Sequence, residues 1–214
     1  MIKIENYWSL IEEGKFREAF DKLKQQYNDY KHNGYPLGNL VIASFLVKDY
    51  ESALHYDTIS EESELIDAGA ALWSLGRFNE AVEMWRRGNE KPYTSNIVTI
   101  PTLLYFASVH QKDEKLQKES VRLLKKRWKS RNELAGFLLD EIAEEQLIES
   151  VSTGPLRTRN RCKVEFYLGT KCLQNGNEQG YIKHLQKCKK LKGNYLEIEY
   201  FIAVSELDRL INKK

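Results

Sequence analysis

Four histidines and three cysteines are the residues of this chain best suited to holding a metal or attacking a substrate, and their spacing serves neither purpose. His32, His55, His110 and His184 form no His-x3-His or His-Glu-x2-His pair, and Cys162, Cys172 and Cys188 form no Cys-x2-Cys. A closed metal site needs its ligands within one turn or one tight loop of each other. Cys162 and Cys172 stand ten residues apart on one expected helix and share no turn with His184. There is no Gly-rich phosphate loop, nucleophile elbow or dinucleotide fingerprint. The acid pairs Glu61-Glu62 and Glu144-Glu145 fall at expected helix starts, where the helix dipole accounts for carboxylates. The expectation is a protein that is not an enzyme, with no metal, no cofactor and no catalytic residue.

Positive charge offers a second chemistry. One cluster is Lys125-Lys126-Arg127-Trp128-Lys129, another is Arg157-Thr158-Arg159-Asn160-Arg161-Cys162-Lys163, and Lys187 to Lys192 is a third. Phosphate tracking with Trp128 as a stacking platform would make this a nucleic-acid-binding regulator. Cations closing helix C-termini explain the first and third clusters equally well, and Trp128 falls at core spacing from Leu124 and Val121. The chain as a whole has a formal net charge of only +2, short of the basic excess expected for nucleic-acid binding. That balance conceals a polarity: residues 1–110 carry 11 Lys/Arg against 16 Asp/Glu, and the remainder carries 22 against 15. Such a dipole can steer a charged partner.

These side chains must be positioned by helices. With 30% charged residues and four prolines in 214 residues, little of the chain suits a linker or disordered arm. No apolar run approaches the ~20 residues of a membrane span, and the residues after Met1 lack a signal-peptide core. The expectation is a cytoplasmic protein with reduced thiols, Cys172 and Cys188 facing the core as small apolar groups. Helical periodicity recurs over Ile97–Gln111, Lys115–Lys129, Asn132–Ile142, Glu144–Val151 and Tyr195–Ile211, while Gly154-Pro155 is the clearest break. Ile97 to Ile100 is the sole β-branched run and Pro101 ends it.

A repeat underlies the pattern. Around Ala81, Gly69 lies twelve before, Gly76 five before, Phe78 three before and Trp85 four after. Gly14, Phe16, Ala19 and Leu23 reproduce the second half of that spacing; Tyr50 and Ala53 keep it, but Asp57 stands where a large apolar residue belongs. Leu168-Gly169, Cys172, Gly176, Tyr181, Leu185 and Cys188 form a fourth copy, with Tyr181 in the alanine position. These residues resemble the tetratricopeptide repeat family, a 34-residue helix–turn–helix unit. The resemblance covers 1–91 and 158–192; it implies an all-α, irregular solenoid of about ten or eleven helices in one domain, with degenerate hairpins over 97–152 and a capping helix over 194–211.

The resemblance also implies a concave groove lined by the first helix of each hairpin, and a protein partner (peptide, helix or globular domain) as its ligand. Carried onto this chain, the groove positions are Trp8, Ile11 and Glu12, then Ile42 and Phe45, then Ile66, Asp67, Ala70, Trp73 and Ser74, and finally Lys163, Phe166, Thr170 and Gln174. Trp8, Phe45 and Trp73 would form an aromatic stripe of the residue types that dominate interfaces; the rival reading packs them between hairpins. An immunity protein or antitoxin that neutralises a toxin is the sharper version by analogy. The alternative is nucleic-acid binding through Lys125, Lys126, Arg127, Lys129, Arg157, Arg159 and Arg161. No membrane partner is expected, and a homo-oligomer is left open.

Overall fold

The turns are where this sequence fixes its architecture. In a computed structural model that describes residues 7–30, 37–60, 63–91, 98–152, 157–191 and 195–212, seven turn residues take the left-handed conformation. They are Gly14, Lys48, Gly76, Lys112, Arg131, Asp140 and Gly176, with φ between 54° and 79°. After each, the next amide returns to the carbonyl five residues earlier, as in Arg77 to Leu72 at 2.9 Å and Asn177 to Cys172 at 2.8 Å. This Schellman arrangement satisfies the last carbonyls of one helix within two residues. At four turns the following residue, Asp49, Asp113, Asn132 or Asn177, then accepts from the first amides of the next helix. One helix is closed and the next opened in adjacent residues, which forces them into hairpins.

The result is all-α, with no strand among the described residues. The elements are α1 (Tyr7–Glu12), α2 (Phe16–Tyr30), α3 (Gly38–Leu46), α4 (Tyr50–Thr58), α5 (Ile66–Ser74), α6 (Phe78–Asn89), α7 (Thr99–Gln111), α8 (Glu114–Trp128), α9 (Glu133–Leu138), α10 (Glu144–Ser150), α11 (Arg157–Gln174), α12 (Glu178–Lys190) and α13 (Ile198–Asn212). These thirteen described helices exceed the ten or eleven expected, and the short α9 and α10 stand within the expected helical stretches Asn132–Ile142 and Glu144–Val151. Each packs on its neighbours in chain order, in a solenoid-like arrangement. The β-branched run makes no strand: Thr99 and Ile100 open α7, with Pro101 in its first turn. Gly154-Pro155, Glu61-Glu62, His32 and Gly193-Asn194 lie outside the described residues.

The close approaches expected at small residues are present. A Cβ on Gly69 would come within 2.2 Å of the Trp85 indole, whose Nε1 donates to the Ile66 carbonyl at 3.1 Å. Asp57, the residue out of place in the second copy, has a structural task. Its Oδ2 accepts from Ser63 Oγ at 2.7 Å and from the Ala68 amide at 2.9 Å. It thus caps α5 from the preceding hairpin, because Leu65, at the cap position, has no side-chain oxygen.

Two features depart from a simple stack. Helix α11 packs against α7, and α13 packs against α5 and α11 as well as α12. The expected capping helix therefore turns inward. Phe201, Ile202, Ala203, Ser205, Glu206 and Leu207 of α13 are buried, while Tyr200, Val204 and Asp208 are half-buried along its outer stripe.

Lys112 is exposed and held at φ 54°. A left-handed residue with a Cβ costs ~1–2 kcal/mol relative to glycine, part of which glycine loses again through unfolded-chain entropy. Replacing Lys112 by Gly is expected to raise stability by about 0.5–1 kcal/mol in urea denaturation. A destabilised variant would contradict the turn geometry.

Candidate functional site

The groove positions divide sharply once the packing is known. Trp73 has no exposed surface; its ring lies 4.6 Å from Phe78, 4.9 Å from Phe106 and 5.8 Å from Trp85 between centroids. Its Nε1 donates to Glu206 Oε1 at 2.8 Å. Phe45 is buried and stacks on Phe201 at 4.6 Å, and Phe166 is buried against Phe106 at 4.8 Å. The expected groove is therefore corrected: Phe45 and Trp73 of the aromatic stripe, and Phe166 of the fourth copy, face the chain's own interior. The physical reason is α13, which covers the inner face that a partner was expected to cover. Ile11, Ala70 and Thr170 are buried as well. Trp8 is half-buried beside Tyr7 and Glu12 is exposed at the N-terminal hairpin; Gln174 is exposed, its side-chain oxygen accepting from Tyr105 at 2.9 Å.

Glu206 organises that interior. Besides Trp73 from α5, it accepts from Tyr181 of α12 at 3.1 Å, pairs with His110 of α7 at 3.1 Å and with Arg209 at 2.7 Å. Burial alone would push its carboxyl up; the His110 hydrogen bond, with Arg209 and Trp73, holds it below the usual carboxylate value. Removing one member of such a cluster leaves buried partners unsatisfied. Glu206→Ala is expected to cost about 3–5 kcal/mol, read by chemical denaturation. A loss below about 1 kcal/mol would mean the cluster contributes little.

Ile42 and Ser74 are half-buried, and three further groove positions converge elsewhere. Ile66, Asp67 and Lys163 line one cleft of about 550 Å³, together with Arg159, which belonged to the nucleic-acid set. Sequence reasoning missed Asp57, Glu64, Glu197, Glu199 and Thr99, which share its walls. The first turns of α3, α5, α7 and α13 border it, so helix dipoles add positive potential. Its side chains still carry five carboxylates against two cations. Both cations are engaged by Glu197: Lys163 at 2.8 Å, and Arg159 through its Nε.

The carboxyls here are held at a cost. Burial first, then the charges of Asp57 and Glu64, push Asp67 up to about 7. Its carboxylate has no hydrogen-bond or ion-pair partner among the described residues, although Asp67 is only half-buried. Glu199 is 1% exposed. Its Oε1 lies 3.2 Å from the Tyr167 hydroxyl, which also contacts Thr102 at 2.7 Å, while Oε2 has no partner. Burial, helped by Glu197 and opposed by Lys163, raises its pKa. Asp57 is raised too, chiefly by burial and against the bonds from Ser63 and Ala68.

The second basic cluster is largely spent on the fold. Arg159 pairs with Glu197, and Arg161 with Glu165 at 2.7 Å; Glu165 also meets His184 at 2.8 Å. Arg157 is exposed, as are Lys125, Lys126 and Lys129 at the end of α8, with Arg127 half-buried. Trp128 rests on α9, where a Cβ at Gly136 would approach it to 2.6 Å. Cys162 and Cys188 are buried with their sulfurs in contact between α11 and α12, and Cys172 is half-buried rather than fully core-facing. Among the described residues no group of His, Cys, Asp and Glu is arranged to hold a metal ion, and no helix is long and apolar enough to cross a membrane.

A carboxyl whose folded pKa is raised destabilises the fold as pH climbs from its unfolded value to its folded one. For Asp67 that window runs from about 4 to about 7. Asp67→Asn is therefore expected to match the parent near pH 4 and to be more stable by about 1–2 kcal/mol above pH 7, allowing for solvent screening. Equal stabilities at every pH would show that Asp67 is well solvated. Against known proteins, neither a family model nor a curated sequence matches the chain.

Proposed function

We propose that this protein is a non-enzymatic protein-interaction module of the tetratricopeptide-like helical-repeat kind, and that its partner engages the acid-rich cleft at the open edge of α5. The observation that carries the reading is Glu199, which holds a buried oxygen with no partner among the described residues, on the same cleft as the half-buried Asp67, whose carboxyl burial pushes up to about 7. Unfavourable burial of this sort concentrates where a site is prepared for a ligand. The aromatic groove that first suggested a partner surface is filled by α13, so the partner meets the edge of the array instead.

Nucleic-acid binding is the weaker reading. Arg159, Arg161 and Lys163 are paired with carboxylates, which takes up most of the second basic cluster and leaves Arg157 and the exposed cations at the end of α8 to meet phosphates. Affinity purification of the full chain from its native cells separates the two. The reading expects a stoichiometric protein, captured by the parent and by Lys125→Glu/Lys126→Glu, and lost on the charge reversal Asp67→Arg. Salt-labile RNA or DNA lost with the α8 double variant would overturn it. Trp73→Ala serves poorly here, because emptying a buried indole site costs ~3–5 kcal/mol of stability. If the captured protein is a toxin, the module is an immunity protein.

A further inference from the structure

The cleft allows its ligand to be named by chemistry, on the footing that the protein-binding reading is right. We propose that it receives a basic side chain of the partner, a guanidinium or ammonium head held between Asp67 of α5 and Glu199 of α13. Three observations converge on a donor-only group. Glu199 is almost wholly buried, lines the cleft, and has one oxygen with no donor. Asp67 across the same space has no partner among the described residues. The two cations present, Arg159 and Lys163, make their ion pairs with Glu197, and Lys163 attracts Glu199 without reaching its Oε2.

Orphan acceptors need donors, and Arg and Lys heads carry several donors and no acceptor. The helix dipoles around the cleft explain why acidic residues begin α5 and α13, since each terminus offers about half a positive charge. They leave Oε2 of Glu199 without a hydrogen-bond partner among the described residues. A metal ion is the wrong shape for the site: the carboxylates are spread around the cavity instead of gathered for coordination. A long cation spans such a spread. The walls suit it, with Ile66, Leu196 and Ile198 alongside its methylene stem and carboxylates at its head. The cleft volume of about 550 Å³ accommodates one such side chain with backbone on either side.

The test uses N-acetyl-arginine-amide and its neutral isostere N-acetyl-citrulline-amide, titrated into the full chain and followed by amide chemical shifts. The proposal expects saturable shifts around Asp67 and Ile198–Glu199 with the arginine probe and none with citrulline. Asp67→Asn or Glu199→Gln should weaken binding at least about tenfold while the helical signal in circular dichroism persists, as expected for loss of a charge-assisted hydrogen bond. Equal binding of the two probes, or unchanged affinity in both variants, overturns it. Should Glu199→Gln fail to fold, Asp67→Asn alone decides.

A second arm tests the source. The arginine probe, in millimolar excess, should displace the protein captured from cells, and citrulline should not. If a partner is captured in a cleft-dependent way but arginine does not displace it, the cation proposal falls and the protein-binding reading stands. Tighter binding of the free amine agmatine, with no protein captured, would overturn the partner side chain as the source.

Discussion

A single buried carboxylate on α13 sets the character of this fold. Glu206 receives the indole of Trp73, the imidazole of His110, the hydroxyl of Tyr181 and the guanidinium of Arg209. Those groups come from α5, α7, α12 and α13. A buried charge is tolerated only when hydrogen-bonded from several sides, so the four donors cannot drift apart without stranding it. The surrounding aromatic contacts, from Phe78 through Trp73 to Phe106 and Phe166, add dispersion and apolar burial around that polar centre. Together they draw the last helix into the inner face of the array.

That constraint redirects function. An open helical solenoid presents its concave face to partners; here α13 covers that face, with Phe45 stacked on Phe201 and Lys48 reaching Asp208 at 2.5 Å. At the edge where α5 and α13 begin, by contrast, an acidic side chain keeps a buried oxygen without a partner, Oε2 of Glu199. The polarity of the whole chain fits a basic ligand there, since the N-terminal half, which supplies Asp57, Glu64 and Asp67, is the acidic one. Protein contacts of this kind rest on a few well-buried groups and not on area. Glu199 is a group of that kind in the cleft, with the half-buried Asp67 on the same walls.

Much of the fold could be read from residue types because local physics decides it. Gly14, Gly76 and Gly176 announce left-handed turns, Asp113 and Asn177 announce helix starts, and Gly69 opposite Trp85 announces a close crossing. Lys48 and Lys112 occupy the same turn position without glycine, so only the repeat spacing exposes them. Asp57 was visible as an anomaly, though its task depends on Ala68, eleven residues away and across a hairpin. The site was harder to read. Ile66, Asp67 and Lys163 were picked out by repeat register, and they do meet in one cleft. Glu197 and Glu199 were missed, and Trp73 was left between groove and core, for one cause: the path of α13 is a tertiary decision. Its pattern of Tyr200, Ala203, Val204 and Leu207 is equally that of an end cap and of a central helix. No periodicity distinguishes a helix that covers the last hairpin from one that enters the groove.

Native-state hydrogen exchange tests that point most directly, because an end cap frays while a central helix opens only with the whole protein. The amides of Phe201 to Leu207 are predicted to exchange with the free energy of global unfolding, alongside those of Leu72, Trp73, Leu104 and Phe106. Protection in α13 several kcal/mol below that of α5 and α7 would contradict the account. It would return the inner groove to an outside partner.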